Sequence, residues 1–429
     1  MWIYFCSFNK DIKRRESMTT QAILACVVFV AAIVLLIWKP IHPILIGAAI
    51  PTALALLGIL DAKTAFSDFA NTTVVFFMSL LVIGAAIFKT GLADFIGEKL
   101  IGIVGKSETG IILSSGIVAA SLSAFLNDTG TTGCLIPIVS SLAQKAKVPL
   151  SKVLMSVAFF ASLGGTITLI GTTPHIVANG LLADAGIAEF TFFEFAKFGI
   201  PVTIVGLIYM ATIGKKLLPS KEISNSNAAE LAERSPKKMI LVFAVFVFII
   251  YCMASGLLAM HLAAALGAIL VVLFGCITVD EAVKSFSTTT LFLVAGIFPL
   301  STALIQTGAA QFIIDMLSPV LAEASPVFVY AAVTGLTIVT TQFLMNTSLT
   351  AILVPMGILV AQSAGMGPRG VVMAIAVAAS AAFCTPFGTG PNLLVWEAGG
   401  YEFKDYAKVG APLAVIFWII TTAACIIFY

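Results

Sequence analysis

The segment SAFLNDTGTTGCLIPI, residues 123–138, sets one carboxylate, Asp128, in an apolar run with no basic residue between Lys106 and Lys145. On insertion scales an ionisable group at mid-span costs about 2.5 to 3.5 kcal/mol, and by default it is a functional residue. Asp128 lies in the polar break NDTG, where exposed carbonyls and hydroxyls can take up a small cation. The free N–H groups at the start of a half-helix can take up an anion. The structural alternative is an Asp that merely satisfies a polar neighbour.

A second copy of this chemistry lies further along. FLNDTGTTGCLIP ends at Pro137 and FLMNTSLTAILVP ends at Pro355, an offset of 218 residues that pairs Asp128 with Asn346. GTTPH from Gly171 and GTGPN from Gly388 are 217 apart. In both, Gly permits unusual dihedrals and Pro removes a donor and stops helix continuation, so Thr172, Thr173 and Thr389 bring hydroxyls to a break. A single such motif is more often a kink than a site, but recurrence at the symmetric position favours a site. His175 fits a solvated loop position as well as a ligand; Asn392 holds the equivalent place, which favours a shared role for the pair.

The elements that must position these residues follow from composition. The 429 residues are 60% hydrophobic and 10% charged, far from the soluble average. Apolar runs long enough to cross a ~30 Å hydrocarbon core recur along the whole length, which makes an all-α polytopic membrane protein. The formal charge of +2 is spread over loops with no basic patch, which excludes a nucleic-acid partner. Three histidines and seven scattered cysteines supply no nucleophile or metal constellation, so an enzyme and an organic cofactor are not expected.

The spans read as 21–38, 43–60 and 73–89 in the first half and 239–257, 260–277 and 290–306 in the second. An amphipathic interfacial piece is expected at 92–104. The stretches 110–143 and 326–362, interrupted at NDTG and MNTS, read as re-entrant hairpins. In each half a broken span and a last span, 198–217 or 409–428, follow. About five crossings per half is an odd number, and an odd repeat unit places the second half upside down. The expected organisation is a first repeat at 18–218, a cytoplasmic linker at 219–238 and a second repeat at 239–429. With that linker inside, only Lys63, Lys197 and Arg369 among the Lys and Arg after Met18 face outward, in keeping with the positive-inside rule. Residues 1–17 break the rule, and KRRES before Met18 has the composition of a translated ribosome-binding site. Met18 is therefore the expected start.

GGTITLIGTTPHIVANGLL and TPFGTGPNLLVWEAGGYEFKDYAKVGAPL resemble segments of the divalent anion/sodium symporter family within the ion transporter superfamily, and the resemblance extends over the chain after Met18. The family carries Ser-Asn-Thr at each hairpin tip. Here Asn127, Asp128 and Thr129 fill the first tip and Met345, Asn346 and Thr347 the second, so Asn346 and both threonines match outright. The resemblance implies one cation held by Ser123, Asn127, Asp128 and the Gly171 backbone, and a second held by Thr341, Asn346 and Gly388. It implies an anion between the tips, touched by Asn127, Thr129, Asn346, Thr347 and Thr172 or Thr389. It also implies an elevator movement and a homodimer. Met345 removes a hydroxyl from the second tip, and Asp128 adds a charge to the first.

The expectation is a multi-pass transporter of the inner cell membrane that carries a small anion, a di- or tricarboxylate or an oxyanion such as sulfate, with Na+ or H+ as coupling ion. The alternative is a cation/proton antiporter of the same superfamily.

Overall fold

The computed structural model describes residues 19–38, 41–93, 95–96, 107–221, 235–286, 288–313, 315, 324–386 and 388–429. The expected tail 1–17, most of the interfacial piece 92–104 and most of the linker 219–238 lie outside them. The described chain is all-helical, 78% helix with no strands.

In the first half the helices are α1 (Thr20–Trp38), α2 (Pro43–Leu56), α3 (Thr72–Lys89), α4 (Glu108–Ser123), α5 (Asp128–Ala146), α6 (Leu150–Gly165), α7 (Thr173–Asp184) and α8 (Ala196–Tyr209). The second half repeats the order with α9 (Pro236–Ser255), α10 (Met260–Leu273), α11 (Thr288–Gln306), α12 (Pro326–Thr341), α13 (Asn346–Ser363), α14 (Pro368–Ala378), α15 (Gly390–Ala398) and α16 (Phe403–Phe428). Each helix of the second half corresponds to the one eight places earlier.

Local chemistry sets the boundaries. Asn71 caps α3 through Thr73 N (2.9 Å), Ser107 caps α4 through Gly110 N (3.1 Å), and Ser325 caps α12 through Phe328 N (3.3 Å). Pro opens α2, α9, α12 and α14, where its missing N–H costs nothing. The interruptions fall where the polar and Gly-Pro motifs stand: α4 and α5 are parted at 124–127, α12 and α13 at 342–345. The broken spans are parted at 166–172 and 379–389.

Five stretches among the described residues are long and apolar enough to cross a membrane: Ala62–Lys89, Ala196–Leu217, Pro236–Ser255, Asn346–Ser363 and Phe403–Phe428. Large apolar side chains face outward at helical spacing, as Ile23, Val27, Val30 and Val34 do on α1 and Ile200, Ile204 and Ile208 on α8. Such faces are tolerable against lipid and not against water, so the chain is a multi-pass membrane protein.

The two halves interlock. α2 packs on α11 while α10 packs on α3, and α1 packs on α11 while α9 packs on α3. Gly47 and Gly296 let α2 and α11 touch backbone to backbone, since a Cβ on either would strike the other helix's carbonyl. In the hairpin region the exchange recurs: α7 lies on α13 and α14, and α15 lies on α5 and α6. Each broken half-helix thus leans on the hairpin of the other half. α6 and α14 are buried on nearly every face and form the centre of this region.

Candidate functional site

Two hairpin tips and two breaks meet around one cavity of about 530 Å³. Four helices start at its wall: α5 at Asn127–Gly130, α13 at Met345–Thr347, α7 at Thr172–Pro174 and α15 at Gly388–Gly390. Their first N–H groups and the positive ends of their dipoles point toward one space. The opposite wall is apolar, made by Phe77, Leu81, Gly84, Ala85 and Phe88 of α3, with Ser285 and Leu393 at its edge. Asp128 is the one charged residue among the described residues that line it.

At the first tip Asn127 has extended backbone (φ −64°, ψ 147°) and its Oδ1 accepts from Gly130 N at 2.6 Å. Asp128, 8% exposed, accepts at Oδ1 from Thr129 N (2.7 Å) and Thr129 Oγ1 (3.2 Å). The Thr172 side chain is turned toward the same carboxylate. At the second tip Met345 occupies the cap position with no side-chain hydrogen bond. The Asn346 side-chain amide lies 2.9 Å from Thr341 Oγ1 and donates to it, because the one proton of that hydroxyl goes to the Ala379 carbonyl. One turn into each helix the same back-bond recurs: Thr132 Oγ1 donates to Asp128 O (2.9 Å) and Thr350 Oγ1 to Asn346 O (2.8 Å).

Behind the tips, oxygens gather at two symmetric crossings. Ser123 Oγ donates to Ala161 O at 2.6 Å, and Thr341 Oγ1 to Ala379 O at 2.7 Å. A Cβ on Gly171 would run into the Ser123 and Gly165 carbonyls, and one on Gly388 into the Thr341 carbonyl. Glycine is required at both positions because the break passes this close to the hairpin backbone. The C-terminal ends of half-helices α4, α6 and α12 bring the negative ends of their dipoles to these crossings, the surroundings in which a small cation binds.

The structure therefore sorts the residues singled out in the sequence. Asn127, Asp128, Thr129, Thr172, Asn346, Thr347, Gly388 and Thr389 line the cavity. Ser123, Gly171 and Thr341 stand behind it at the crossings. His175 and Asn392 do not line it. His175 is buried, its ring stacked 3.8 Å from that of Phe195, and its Nδ1 lies 2.9 Å from Thr168 O. A carbonyl only accepts, so Nδ1 carries the proton. Asn392 Nδ2 donates to Thr385 O (2.9 Å) and Ala382 O (2.7 Å). Both side chains staple the chain leaving a break to the helix that follows it.

Sequence reasoning missed the matching staples on the other side of each break. Thr168 Oγ1 donates to Ala124 O and Thr385 Oγ1 to Gln342 O, while Gln342 also bonds Ala381 O and Cys384 N. Thr168 and Thr385 are separated by the repeat offset of 217, the signal that could have found them.

Comparison with known proteins supplies the lineage. The citrate transporter family model matches residues 33–366 and 331–429. The chain belongs to that family. It is 28% identical to an uncharacterized transporter of Methanocaldococcus jannaschii, over 89% of this chain and 88% of that protein. It is 24% identical to the sodium-dependent high-affinity dicarboxylate transporter 3 of Caenorhabditis elegans, over 92% of this chain and 81% of the worm protein. The sodium-dependent dicarboxylate transporter SdcS of Staphylococcus saprophyticus is also 24% identical, over 91% of this chain and 83% of its own length. Among solved structures, the Alcanivorax borkumensis YdaH transporter, described as having an unusual topology, superposes with a TM-score of 0.64 at 14% identity over 87% of each chain. The protein is a membrane transporter and not an enzyme.

Proposed function

We propose that this transporter is secondary-active, carries a small anion (a di- or tricarboxylate or an inorganic oxyanion) and couples its movement to Na+ or H+ through Asp128. The observation that carries the proposal is a lone carboxylate lining a cavity into which four helix N-termini open. The N-termini favour an anion. Asp128 opposes it: at an effective dielectric near 20, two unit charges ~4 Å apart repel by about 4 kcal/mol. A cation or proton on Asp128 removes that penalty, so anion binding waits on cation binding, which is coupling. The sodium-dependent dicarboxylate transporters among its relatives make Na+ and carboxylates the first ligands to try.

In this proposal the repeats 18–218 and 239–429 are inverted with respect to each other, and the part that bears α4–α7 and α12–α15 slides against the rest as an elevator. The working form is a homodimer in the inner membrane. The test uses proteoliposomes and radiolabelled citrate, succinate and sulfate under imposed Na+ or H+ gradients. Gradient-driven uptake of at least one anion is expected from the wild type, and its loss from Asp128→Ala. Full retention of gradient-driven uptake in Asp128→Ala sinks the role of Asp128. Dissipation of a proton gradient on adding Na+ with no organic anion present favours the antiporter instead.

A further inference from the structure

The cavity uses α3 from Phe77 to Phe88 and reaches Ser285, toward the end of that helix that carries Lys89. The other end of α3 follows Lys63 in the chain and lies outside by the positive-inside rule. There α7 packs on α3, and a Cβ on Gly180 would strike the Thr73 side chain, so the two helices meet closely. Asn71 spans the contact. Its Oδ1 accepts from Thr73 N at 2.9 Å, which fixes the amide, and its Nδ2 donates to Asp68 Oδ1 and to Asp184 Oδ1, each at 3.1 Å. One amide thus joins two carboxylates, Asp68 from the turn before α3 and Asp184 from the end of α7. A third, Glu189, is held near by Asn179 of α7, whose Nδ2 donates to Glu189 Oε2 at 2.8 Å. Among the described residues no base answers them. α11 and α13, which also pack on α7, carry no charged residue, and Arg369 of α14 is turned to Glu194 and to the Glu189 carbonyl.

The second repeat lacks this arrangement. At the offset of 217 residues, Ser285, Thr288 and Tyr401 stand where Asp68, Asn71 and Asp184 do. Ser285 lies at the cavity edge and the Tyr401 hydroxyl donates to Ser151 O of α6, so the duplicated architecture does not account for the carboxylate pair.

We infer that Asp68, Asn71 and Asp184 form a proton-controlled latch, which holds the outer face shut while the cavity lies toward the inner one. The inference rests on the sliding movement proposed above, in which α7 travels and α3 stays, and adds a control on it. With both carboxylates ionised, Asn71 holds together two groups that repel, and the latch is weak. A proton on Asp184 Oδ2 removes the repulsion and leaves the bond from Asn71 to Oδ1 intact. Loss of hydration at the contact, then the charges of Asp68 and Glu189, push the Asp184 carboxyl up to about 6 against the pull of Asn71. Once α7 leaves α3, Asp184 returns to the ordinary carboxylate value of about 4 and gives the proton up. The latched form therefore binds the extra proton, and it tightens as the outer pH falls from about 6 toward about 4. Between about pH 7.5 and about pH 5 the latch equilibrium shifts about tenfold. Acid outside keeps the outer face closed.

The test has two readouts, one of which needs no substrate. Hydrogen exchange of the purified protein in lipid nanodiscs, read by mass spectrometry over residues 180–190, reports how firmly α7 stays on α3. Variants are compared at equal pH. At about pH 7.5, Asp184→Asn, which copies the protonated side chain, should be protected up to about tenfold more than wild type, and Asn71→Ala several-fold less. At about pH 5 the wild type should match Asp184→Asn. The second readout is exchange of labelled citrate, succinate or sulfate across proteoliposomes with the same pH on both sides. Dividing each rate by that of Asn71→Ala at the same pH cancels titration of the anion itself. The quotient should fall up to about tenfold from about pH 7.5 to about pH 5 in the wild type, and should be low and flat in Asp184→Asn. Asp184 is exposed, so its variants should fold. An equal pH response in wild type and Asp184→Asn, or equal protection in Asn71→Ala and Asp184→Asn, overturns the latch and leaves transport standing. If the wild type exchanges none of the three anions, the transport proposal falls, and the hydrogen-exchange pattern alone decides for or against the latch.

Discussion

The two hairpin tips share a backbone and part company in their side chains. Both begin a helix after an extended residue, both carry a Thr one turn on that bonds back to the helix start, and both lean on a glycine of a break. Behind them Ser123 answers to Thr341, Thr168 to Thr385 and His175 to Asn392, each making an equivalent bond. At the cavity surface the likeness ends: Asn127 and Asp128 cap their own helix, whereas Met345 and Asn346 leave theirs open. The two halves agree in the bonds that hold a break open inside a membrane, where an unsatisfied carbonyl is expensive. They differ in the side chains that line the cavity.

The sharpest way to break that contrast is to give the second tip the charge of the first. Asn346→Asp sets a second carboxylate in the same cavity, about 4 kcal/mol of repulsion for an anion ~4 Å away, or about a thousandfold in affinity. Anion KM in proteoliposomes should rise by up to that factor. A further cation should be drawn in, visible as a steeper dependence of uptake on cation concentration. A variant with wild-type KM would mean that the anion does not come near the second tip.

The shared backbone can be stressed in the same paired manner. Gly171→Ala and Gly388→Ala each push a methyl group into carbonyls of the hairpin that the break crosses. Overpacking against backbone costs about 1–3 kcal/mol, and because both positions meet main chain the two variants should lose similar stability. Thermal denaturation of the purified protein in detergent should show a drop of several degrees for each. A wild-type midpoint for one of them would show that the two crossings are not equivalent.

How much of this was legible in the sequence depended on whether a feature interrupts an apolar run. NDTG, MNTS, GTTPH and GTGPN do so, and the helices end within a few residues of each. The cavity-lining residues among those singled out all come from these interruptions. Features inside apolar runs were invisible. Thr168, Thr385 and Gln342 are single polar residues among aliphatic neighbours, and only their carbonyl partners, about 40 residues away in sequence, give them a role. Spacing could not foresee that α15 lies on α5 and α7 on α13 either, because period and offset describe each half alone. The direction in which Asn346 turns is set by Thr341, a contact between two helices, and no local pattern encodes it.

His175 gives the smallest effect and the cleanest separation of scaffold from site. Read from sequence it stood between ligand and loop; in the fold it stacks on Phe195 and donates to Thr168 O, away from the cavity. His175→Asn copies the residue at the equivalent position, and an Asn amide there retains a donor for that carbonyl. What it loses is the ring contact, about 0.5–1.5 kcal/mol. The denaturation midpoint should fall by a few degrees while anion KM and cation dependence stay within about twofold of wild type. A tenfold change in either transport constant, with the midpoint unmoved, would place His175 among the ligands. It would also mean that the two halves use their break-following residues differently, as they do the residues of their tips.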